Sequence, residues 1–399
     1  MKRLIIENGK VIFPDYIAEN AAVICEGGKI RNIVPSADIV FSESDYRIDA
    51  FGQYVSPGFI DIHLHGGGGH DFMDGTVEAF LGAAELHARY GTTAMVPTTL
   101  TSTIEGLMNT FSVYREAVKS NTKGSRFLGL HLEGPYFSYN QRGAQDPKYL
   151  RNPEPEEYLN ILESSKDIVR WSLAPELPGA LDMSRMLISR NILAAVAHSD
   201  AVSEEVEMAF KEGFTHITHL YSGMSSVTRR NAFRYAGVVE AAYLIDDMTV
   251  EIIADGVHLP RPLLQFVYKF KGADKIALCT DSMRGAGMPD GDSILGSLSE
   301  GQRVIIEDGV AKLPDRTSFA GSVATADRLI RTMVNIAGVS LKDAVKMMTL
   351  TPARIMKVDS QKGSIEPGKD ADLVIFDENI NVSHTVLEGK VIYDTLNKV

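Results

Sequence analysis

Two histidines, His63 and His65, stand one residue apart at the end of the apolar run Phe59–Ile62. Alternate side chains of a β-strand point to the same face, so both imidazoles can face one cleft. Neutral imidazole nitrogens are good ligands for zinc, iron or manganese. The pair therefore predicts a metal-dependent enzyme whose other ligands stand at the ends of later strands.

Further titratable residues follow later apolar runs of the chain, at His131, Glu133, His198, His219, His258 and Asp281. A single histidine on an apolar strand is usually a hydrogen-bonded core residue, and a single aspartate can be a helix cap. Histidine is scarce, however, with 10 in 399 residues, and most of them fall at predicted strand ends. This placement predicts one shared site.

Apolar runs that read as strands alternate with longer helix-like segments from Pro57 to about Pro352, a pattern typical of βα units. The runs are Phe59–His63, Ala94–Thr98, Phe127–Leu132, Val169–Ala174, Ile192–Ala197, His216–Leu220, Val250–Ala254 and Ile276–Thr280. Eight such runs predict an α/β fold with a closed (β/α)8 barrel, whose active site lies at the carboxyl ends of the strands. An open doubly wound sheet is the rival, but Gly66–Gly69 contains no dinucleotide- or nucleotide-binding fingerprint.

Short strand-like segments with Gly-containing turns occupy both ends of the chain. Examples are Ala21–Cys25 near the start and Ala371–Asp377 near the end. We predict one small β-sandwich domain built from residues 1–55 and 356–399, which flank the metal-dependent barrel of residues 56–355.

Composition excludes several classes of protein. The formal net charge is −12 and 44% of the residues are hydrophobic, which argues against a nucleic-acid-binding or acidic-membrane surface. The two cysteines, Cys25 and Cys279, are far apart and form no CxxC pair, so a disulfide scaffold or zinc ribbon is not expected. Charged residues interrupt any signal-like segment at the start, and no apolar run is long enough to span a membrane. We expect a soluble cytoplasmic protein.

The chain resembles the amidohydrolase superfamily in Pro57–His65, which reads Pro-Gly-Phe-Ile-Asp-Ile-His-Leu-His, and in the late segment Gly363–Val374. Within that superfamily it resembles the N-acetylglucosamine-6-phosphate deacetylase family, over about residues 5 to 395. The motifs that carry this likeness are His131–Pro135, Leu173–Glu176, Thr218–Tyr221, Ile253–His258 and Thr280–Asp281. The resemblance implies a metal-bearing barrel with a small β-sandwich, a homodimer, and hydrolysis of an acetamide on a phosphorylated amino sugar.

The resemblance also implies a metal-ligand set. Glu133, His198 and His219 would hold the principal divalent ion, and His63 and His65 a second one. The end of the fourth run, Arg170–Glu176, lacks the carboxylated lysine with which dihydroorotase-like members bridge two metals. One or two ions are expected, and zinc, iron, manganese and cobalt all remain possible.

The chemistry implied by the resemblance is amide hydrolysis. A divalent ion lowers the pKa of its bound water to roughly 7 and polarises the acetamide oxygen. Asp281 would take the proton from the attacking water and pass it to the departing amine.

Substrate recognition is implied at a second group of residues. His258 would bind the 6-phosphate together with an arginine of the neighbouring subunit, for which Arg234 is the candidate, although Arg229, Arg230 and Arg234 could equally be a solvated helix face. After the histidine of the sixth run the family has Asn-Ala, and this chain has Ser222 and Gly223 at those positions. Gln145 stands where some members place a substrate-contacting histidine.

The altered residues leave more than one function open. The leading hypothesis is deacetylation of N-acetylglucosamine 6-phosphate in amino-sugar catabolism. A nearer alternative is another acetamido sugar such as N-acetylgalactosamine 6-phosphate, and a more distant one is hydrolysis of a cyclic amide. A non-enzymatic metal scaffold would leave Asp281 without a purpose.

Overall fold

A parallel barrel occupies the centre of the protein, and a computed structural model describes residues 3–395 of the chain. Each barrel strand pairs with the next one in chain order, and all of these pairs are parallel. The eight predicted runs are all present. Barrel strands 1 to 8 are Phe59–Leu64, Thr92–Thr99, Leu130–Glu133, Ile168–Leu173, Leu193–Val196, Phe214–Ile217, Thr249–Ile252 and Ile276–Leu278.

Strands 8 and 1 meet through residues just beyond the end of strand 8. The Asp281 N–H donates to the His63 carbonyl at 2.9 Å, and the His65 N–H donates to the Ser282 carbonyl at 2.7 Å. These bonds nearly close the barrel and bring the first-strand histidines beside Asp281. The doubly wound alternative is therefore excluded.

Helices follow the strands and cover the outside of the barrel. Their bounds are Val77–Arg89, Ile104–Ser120, Pro155–Ser164, Ala180–Ser189, Ser203–Lys211, Val238–Leu244, Arg261–Lys271, Ala326–Asn335, Leu341–Met348 and Leu350–Ile355. The first two begin at Thr76 and Thr103, whose side chains accept hydrogen bonds from backbone N–H groups of the first turn. Among residues 3–395, every helix is too short or too polar to cross a lipid bilayer.

Both ends of the chain meet in one eight-stranded sheet with its own apolar core. The strand Leu373–Phe376 pairs with Tyr54–Pro57, which leads directly into barrel strand 1. The sheet therefore fixes the start of the strand that carries His63 and His65. Its strands are Leu4–Ile12, Ile17–Glu26, Lys29–Pro35, Tyr46–Asp49, Tyr54–Pro57, Leu373–Phe376, Val382–Leu387 and Lys390–Asp394.

Two β insertions at the catalytic end of the barrel were not predicted. After strand 8 the chain forms a four-stranded antiparallel sheet. Its strands are Gly291–Leu295, Gln302–Glu307, Val310–Lys312 and Phe319–Ser322. After strand 6 an exposed hairpin pairs Thr228–Arg230 with Phe233–Tyr235.

The hairpin corrects the expectation of a helix face at Arg229, Arg230 and Arg234. Its turn residues Asn231 and Ala232 both have positive φ, 47° and 70°. Two successive residues of this kind form the tight turn that matches the twist of an antiparallel pair. The three arginines therefore lie on exposed strands.

Candidate active site

Glu133, at the carboxyl end of barrel strand 3, is the centre of a buried cluster of imidazoles. Its Oε1 lies 3.4 Å from the Nε2 of His63, 3.4 Å from that of His198 and 3.1 Å from that of His219. Its Oε2 lies 3.4 Å from the Nε2 of His65. Three separate stretches of sequence thus bring four ring nitrogens to one carboxylate, as the strand-end pattern predicts.

Asp281 approaches the same ring nitrogens of the first-strand pair as Glu133 does. Its Oδ1 is 3.2 Å from the Nε2 of His65 and 3.5 Å from that of His63. Burial raises the pKa of this carboxyl, but the His65 hydrogen bond and the nearby His63 outweigh burial and hold the pKa below its ordinary value. Asp281 is therefore ionised and can accept a proton.

Three of the clustered residues have backbone conformations that L-amino acids rarely adopt. The φ angles are 46° at His198, 27° at His219 and 47° at Asp281. Such conformations cost roughly 1–3 kcal/mol each and persist where the surroundings enforce them, often at functional sites. Here they turn the chain just past the strand ends, so that the side chains point into the cluster.

A carboxylate and an arginine inside the barrel hold His63 from behind. Glu251 Oε1 lies 2.6 Å from His63 Nδ1, and both Glu251 oxygens accept hydrogen bonds from Arg170, at 2.7 and 2.9 Å. All three side chains are fully buried. With its Nδ1–H donated to Glu251, His63 presents its Nε2 to the cluster, the arrangement that orients metal-binding histidines.

His198 is oriented by a backbone carbonyl. Its Nδ1 donates to the carbonyl of Gln141 at 2.7 Å, which leaves Nε2 free to face Glu133. A Cβ on Gly223 would lie 2.6 Å from that Nδ1 and 2.8 Å from the Gln141 oxygen. The glycine therefore provides the room in which this hydrogen bond forms.

The donor set fits a divalent ion. Imidazole nitrogens and carboxylate oxygens are ligands for zinc, iron, manganese and cobalt. The Nε2 of His63 is fully buried and lacks a hydrogen-bond partner among the described residues, a costly arrangement that a metal would relieve. Within the described chain, ligand atoms of His63, Glu133 and His219 come within 4.8 Å of one another, and so do those of His63, His65 and Asp281.

A cavity of about 480 Å³ opens above the cluster. His65, Glu133, His198, His219 and Asp281 line its deep end. The predicted substrate residues Ser222, Gly223, Gln145 and His258 also line it. This volume suits a sugar-sized ligand.

Two of these residues are held by neighbours. The Nε2 of Gln145 donates to Glu133 Oε2 at 2.7 Å, so Gln145 contacts the carboxylate cluster as well as the cavity. His258 Nδ1 donates to Asp255 Oδ2 at 2.8 Å, and the His258 ring lies against Phe319, with centroids 4.7 Å apart. Phe319 belongs to the inserted sheet, which therefore forms one wall of the cavity.

Arg234 is the predicted site residue that the chain does not bring to this cavity. It lies on the exposed hairpin, and its guanidinium donates to the carbonyl of Ala232 at 3.1 Å. Lys312 and Arg316 of the inserted sheet line the cavity instead. Sequence reasoning missed both of them.

His131 lies within strand 3, which ends at Glu133, and does not join the cluster around Glu133. Its Nε2 lies 2.6 Å from Ser172 Oγ and its Nδ1 3.2 Å from Thr98 Oγ1, so both nitrogens have partners within the barrel. Glu251 and Arg170 were missed by sequence reasoning. The sequence feature that could have identified Glu251 and Arg170 is a charged residue inside an otherwise apolar strand.

Comparison with known proteins places this geometry in a family. The model of the amidohydrolase family matches residues 54–392. The chain belongs to the amidohydrolase family. The match covers the whole barrel and the last strands of the terminal sheet, in agreement with the resemblance read from the motifs.

Individual relatives match nearly the full length. The chain is 32% identical over 395 residues to the N-acetylglucosamine-6-phosphate deacetylase of Lysinibacillus sphaericus, covering 99% of each chain. It is also 32% identical over 340 residues to the N-acetylgalactosamine-6-phosphate deacetylase of Escherichia coli O157:H7, covering 85% of this chain and 88% of that one. The crystal structure of N-acetylglucosamine-6-phosphate deacetylase from Pasteurella multocida superposes with a TM-score of 0.90 at 29% identity, covering 98% and 99% of the chains.

Proposed function

We propose that this protein hydrolyses the acetamide of N-acetylglucosamine 6-phosphate to release acetate and glucosamine 6-phosphate. The observation that carries the proposal is the convergence of Glu133, four histidines and Asp281, all of which except His63 line a sugar-sized cavity. Full-length similarity to deacetylases of that name supports the substrate class.

Glu133, His198 and His219 are our proposed ligands of the principal divalent ion, and His63 and His65 those of a second. When bound, the ion supplies an acidified water and a Lewis acid for the acetamide carbonyl. The protein supplies the orientation: Glu251 and Gln141 hold the Nδ1 atoms of His63 and His198, so that both Nε2 atoms face Glu133.

Asp281 is the proposed proton carrier. Its depressed pKa keeps the carboxylate ionised, and its Oδ1 lies within 3.5 Å of both first-strand histidines. It can therefore accept the proton of the attacking water and donate it to the leaving nitrogen, as general acid–base catalysis requires. Without that second transfer the amine would leave as an anion.

The phosphate is proposed to bind at His258 and, in a homodimer, at Arg234 of the partner subunit. The hairpin that carries Arg234 exposes apolar side chains, with Phe233 71% and Tyr235 37% accessible. Apolar residues at the tip of a projecting hairpin favour a covering surface, which a second copy would provide. Ser222, Gly223 and Gln145 are the proposed contacts to the sugar.

We further propose that residues 1–55 and 356–399 form a small β-sandwich domain separate from the barrel of residues 56–355, and that the protein acts in the cytoplasm. Pairing between Leu373–Phe376 and Tyr54–Pro57 and the separate apolar core support the domain division.

N-Acetylgalactosamine 6-phosphate is the second candidate substrate. The similarity to deacetylases of that sugar in Escherichia coli O157:H7 and in a Shewanella strain favours it, at 32% and 31% identity. Ser222 and Gly223, which stand where the family has Asn-Ala, line the cavity and change the contacts available to the sugar.

Acetate release from a panel of sugars tests the proposal. The panel contains the 6-phosphates of N-acetylglucosamine and N-acetylgalactosamine together with both unphosphorylated sugars, and metal content is measured in the same sample. We expect a higher kcat/KM for N-acetylglucosamine 6-phosphate than for the other three. A preference for the galactosamine compound would support the second candidate, and a metal-replete protein that releases no acetate would refute both.

A further inference from the structure

The inserted sheet after strand 8 brings two cations to a cavity of an otherwise acidic protein. Lys312 ends the strand Val310–Lys312, and Arg316 lies in the turn that follows. Both line the cavity that contains His258 and Asp281. Because the whole chain carries a formal charge of −12, an anionic ligand needs local positive charge of this kind to approach.

Strand register places Lys312 beside the proposed phosphate residue. Lys312 pairs directly with Phe319 across the antiparallel ladder, and directly opposed side chains share one face of a sheet. The Phe319 ring in turn lies 4.7 Å from the ring of His258, centroid to centroid. Lys312, Phe319 and His258 therefore form a continuous stretch of the cavity wall.

Carboxylates outside the cavity lining hold both cations in place. The Nε and Nη2 of Arg316 donate to the two oxygens of Glu307, at 2.8 and 3.2 Å. Lys312 Nζ lies 3.4 Å from the same carboxylate and 2.6 Å from Asp308 Oδ2. Because Glu307 contacts both cations, it sets the distance between them.

Arg316 keeps donors for a ligand. Its Nη1 donates to the carbonyl of Pro314 at 3.2 Å, so the contacts among the described residues use three of the five guanidinium hydrogens. One hydrogen on each terminal nitrogen is left, and the side chain is 55% exposed at the cavity rim. A guanidinium held in this way is suited to bind a phosphate through two hydrogen bonds.

The backbone of Arg316 supports a role beyond the turn itself. Its φ is 59°, in the left-handed region that favours glycine and disfavours a long side chain. A turn alone would be better served by glycine. The arginine therefore occupies this position at a conformational cost, which is common at functional sites.

We propose that Lys312 and Arg316 form a phosphate-binding pair that this chain supplies to its own cavity, next to His258. The inference rests on the proposed function, because it assigns the pair to the 6-phosphate of the amino sugar. It adds two cations of the same chain to the phosphate contacts proposed above for His258 and for Arg234 of the partner subunit.

The test compares Arg316→Gly and Lys312→Met with Arg303→Gln. Glycine suits the observed φ, so Arg316→Gly keeps the turn. Arg303 is a matched control because it lies on the same sheet, bonds to Asp292 and does not line the cavity. KM and kcat are measured for acetate release from N-acetylglucosamine 6-phosphate and from N-acetylglucosamine, and the Kd of inorganic phosphate is measured by calorimetry.

Loss of a charge-assisted contact predicts a rise in KM for the phosphorylated sugar of roughly 10- to 100-fold in each of the two cavity variants. We expect kcat, the kinetics of the unphosphorylated sugar and the Arg303→Gln control to be unchanged. The Kd of inorganic phosphate should rise in parallel with KM. Unchanged KM and Kd in both cavity variants would overturn the proposal, as would an equal effect on both sugars.

The phosphate titration separates this inference from the proposed function. If the native protein releases no acetate from any sugar, the proposed function fails. The Kd of inorganic phosphate still decides whether Lys312 and Arg316 bind the anion. A weaker Kd in both cavity variants, with the control unchanged, supports the pair in that case too, and an unchanged Kd refutes it.

Discussion

The deep end of the cavity and its rim are built in different ways. At the deep end, His63, Glu133 and their neighbours stand at the ends of buried parallel strands, and Glu251 and Arg170 brace them inside the barrel. At the rim, the residues lie on an exposed hairpin and on an inserted sheet. We therefore expect the chemistry to depend on residues at the strand ends, and the binding of the phosphate to depend on the two insertions together with His258.

Asp281→Asn should have the largest effect. Amide oxygen cannot accept and return the proton, and general acid–base catalysis contributes roughly 10²- to 10⁴-fold to rate. We expect kcat to fall by that factor while metal content, measured on the same protein, stays near that of the native protein. Asp292→Asn, an exposed aspartate on the inserted sheet, is the control. Turnover within about 10-fold of native in a metal-replete variant would remove Asp281 from its role.

Glu251→Gln should weaken metal binding indirectly, because Glu251 orients the proposed metal ligand His63. Removing the carboxylate partner of a metal-binding histidine costs roughly 10- to 100-fold in affinity. It also leaves Arg170 buried without its counter-ion, which costs about 3–5 kcal/mol of unfolding free energy. Chelator competition measures the first effect and denaturant unfolding the second.

A double variant separates the effect of Glu251→Gln on metal affinity from its effect on stability. Adding Arg170→Met removes the uncompensated charge, so the free energy of unfolding should recover in part while metal affinity stays low. Recovery of both quantities together would show that Glu251 acts through stability alone.

Gly223→Ala changes a residue that both lines the cavity and contacts His198 of the metal cluster. The new Cβ would lie 2.6 Å from His198 Nδ1 and 2.8 Å from Gln141 O, at a φ of 58° that already disfavours alanine. His198 must then move away from Glu133, and we expect metal affinity to fall by about 10-fold, within the range of a lost outer hydrogen bond. Ser222→Ala should leave metal content unchanged. Native metal affinity in Gly223→Ala would show that the His198 contact tolerates displacement.

Arg234→Ala should have the smallest effect. The side chain is exposed within its own chain, so the unfolding midpoint should not change. If a partner subunit supplies this arginine as one contact among several to the phosphate, its loss removes a hydrogen bond worth about 0.5–1 kcal/mol, so KM for the phosphorylated sugar should rise by about 5-fold or less. Arg229→Ala on the same hairpin is the control. A KM increase larger than that caused by Arg316→Gly would make the hairpin, and not the inserted sheet, the principal phosphate site.

The sequence predicted the deep end far better than the rim. Barrel strands are apolar on both faces, so their runs stand out, and the polar residues that follow them, such as His198 and Asp281, fall at one edge because parallel strands end together. Glu251 was missed because one charged residue inside a strand gives no sign of which buried group it will meet. Its partner Arg170 lies 81 positions away along the chain.

The rim depends on long-range placement that local patterns do not encode. Lys312 and Arg316 reach the cavity because the inserted sheet folds back over it, as the contact of Phe319 with His258 shows. The sequence leaves Arg229, Arg230 and Arg234 open between a phosphate-binding role and a solvated helix face, and it does not indicate a hairpin. The positive φ angles of Asn231 and Ala232 form the hairpin turn, and backbone angles of this kind are known only from the structure.

Metal removal and return is the measurement that tests the central claim most directly. The protein is stripped with a chelator, reloaded with increasing amounts of zinc, iron, manganese or cobalt, and assayed for acetate release from N-acetylglucosamine 6-phosphate with bound metal determined in each sample. We predict no turnover in the stripped protein and turnover that rises with the bound ion for at least one of these metals. Full turnover without metal, or none in protein that has bound its ion, would contradict the account.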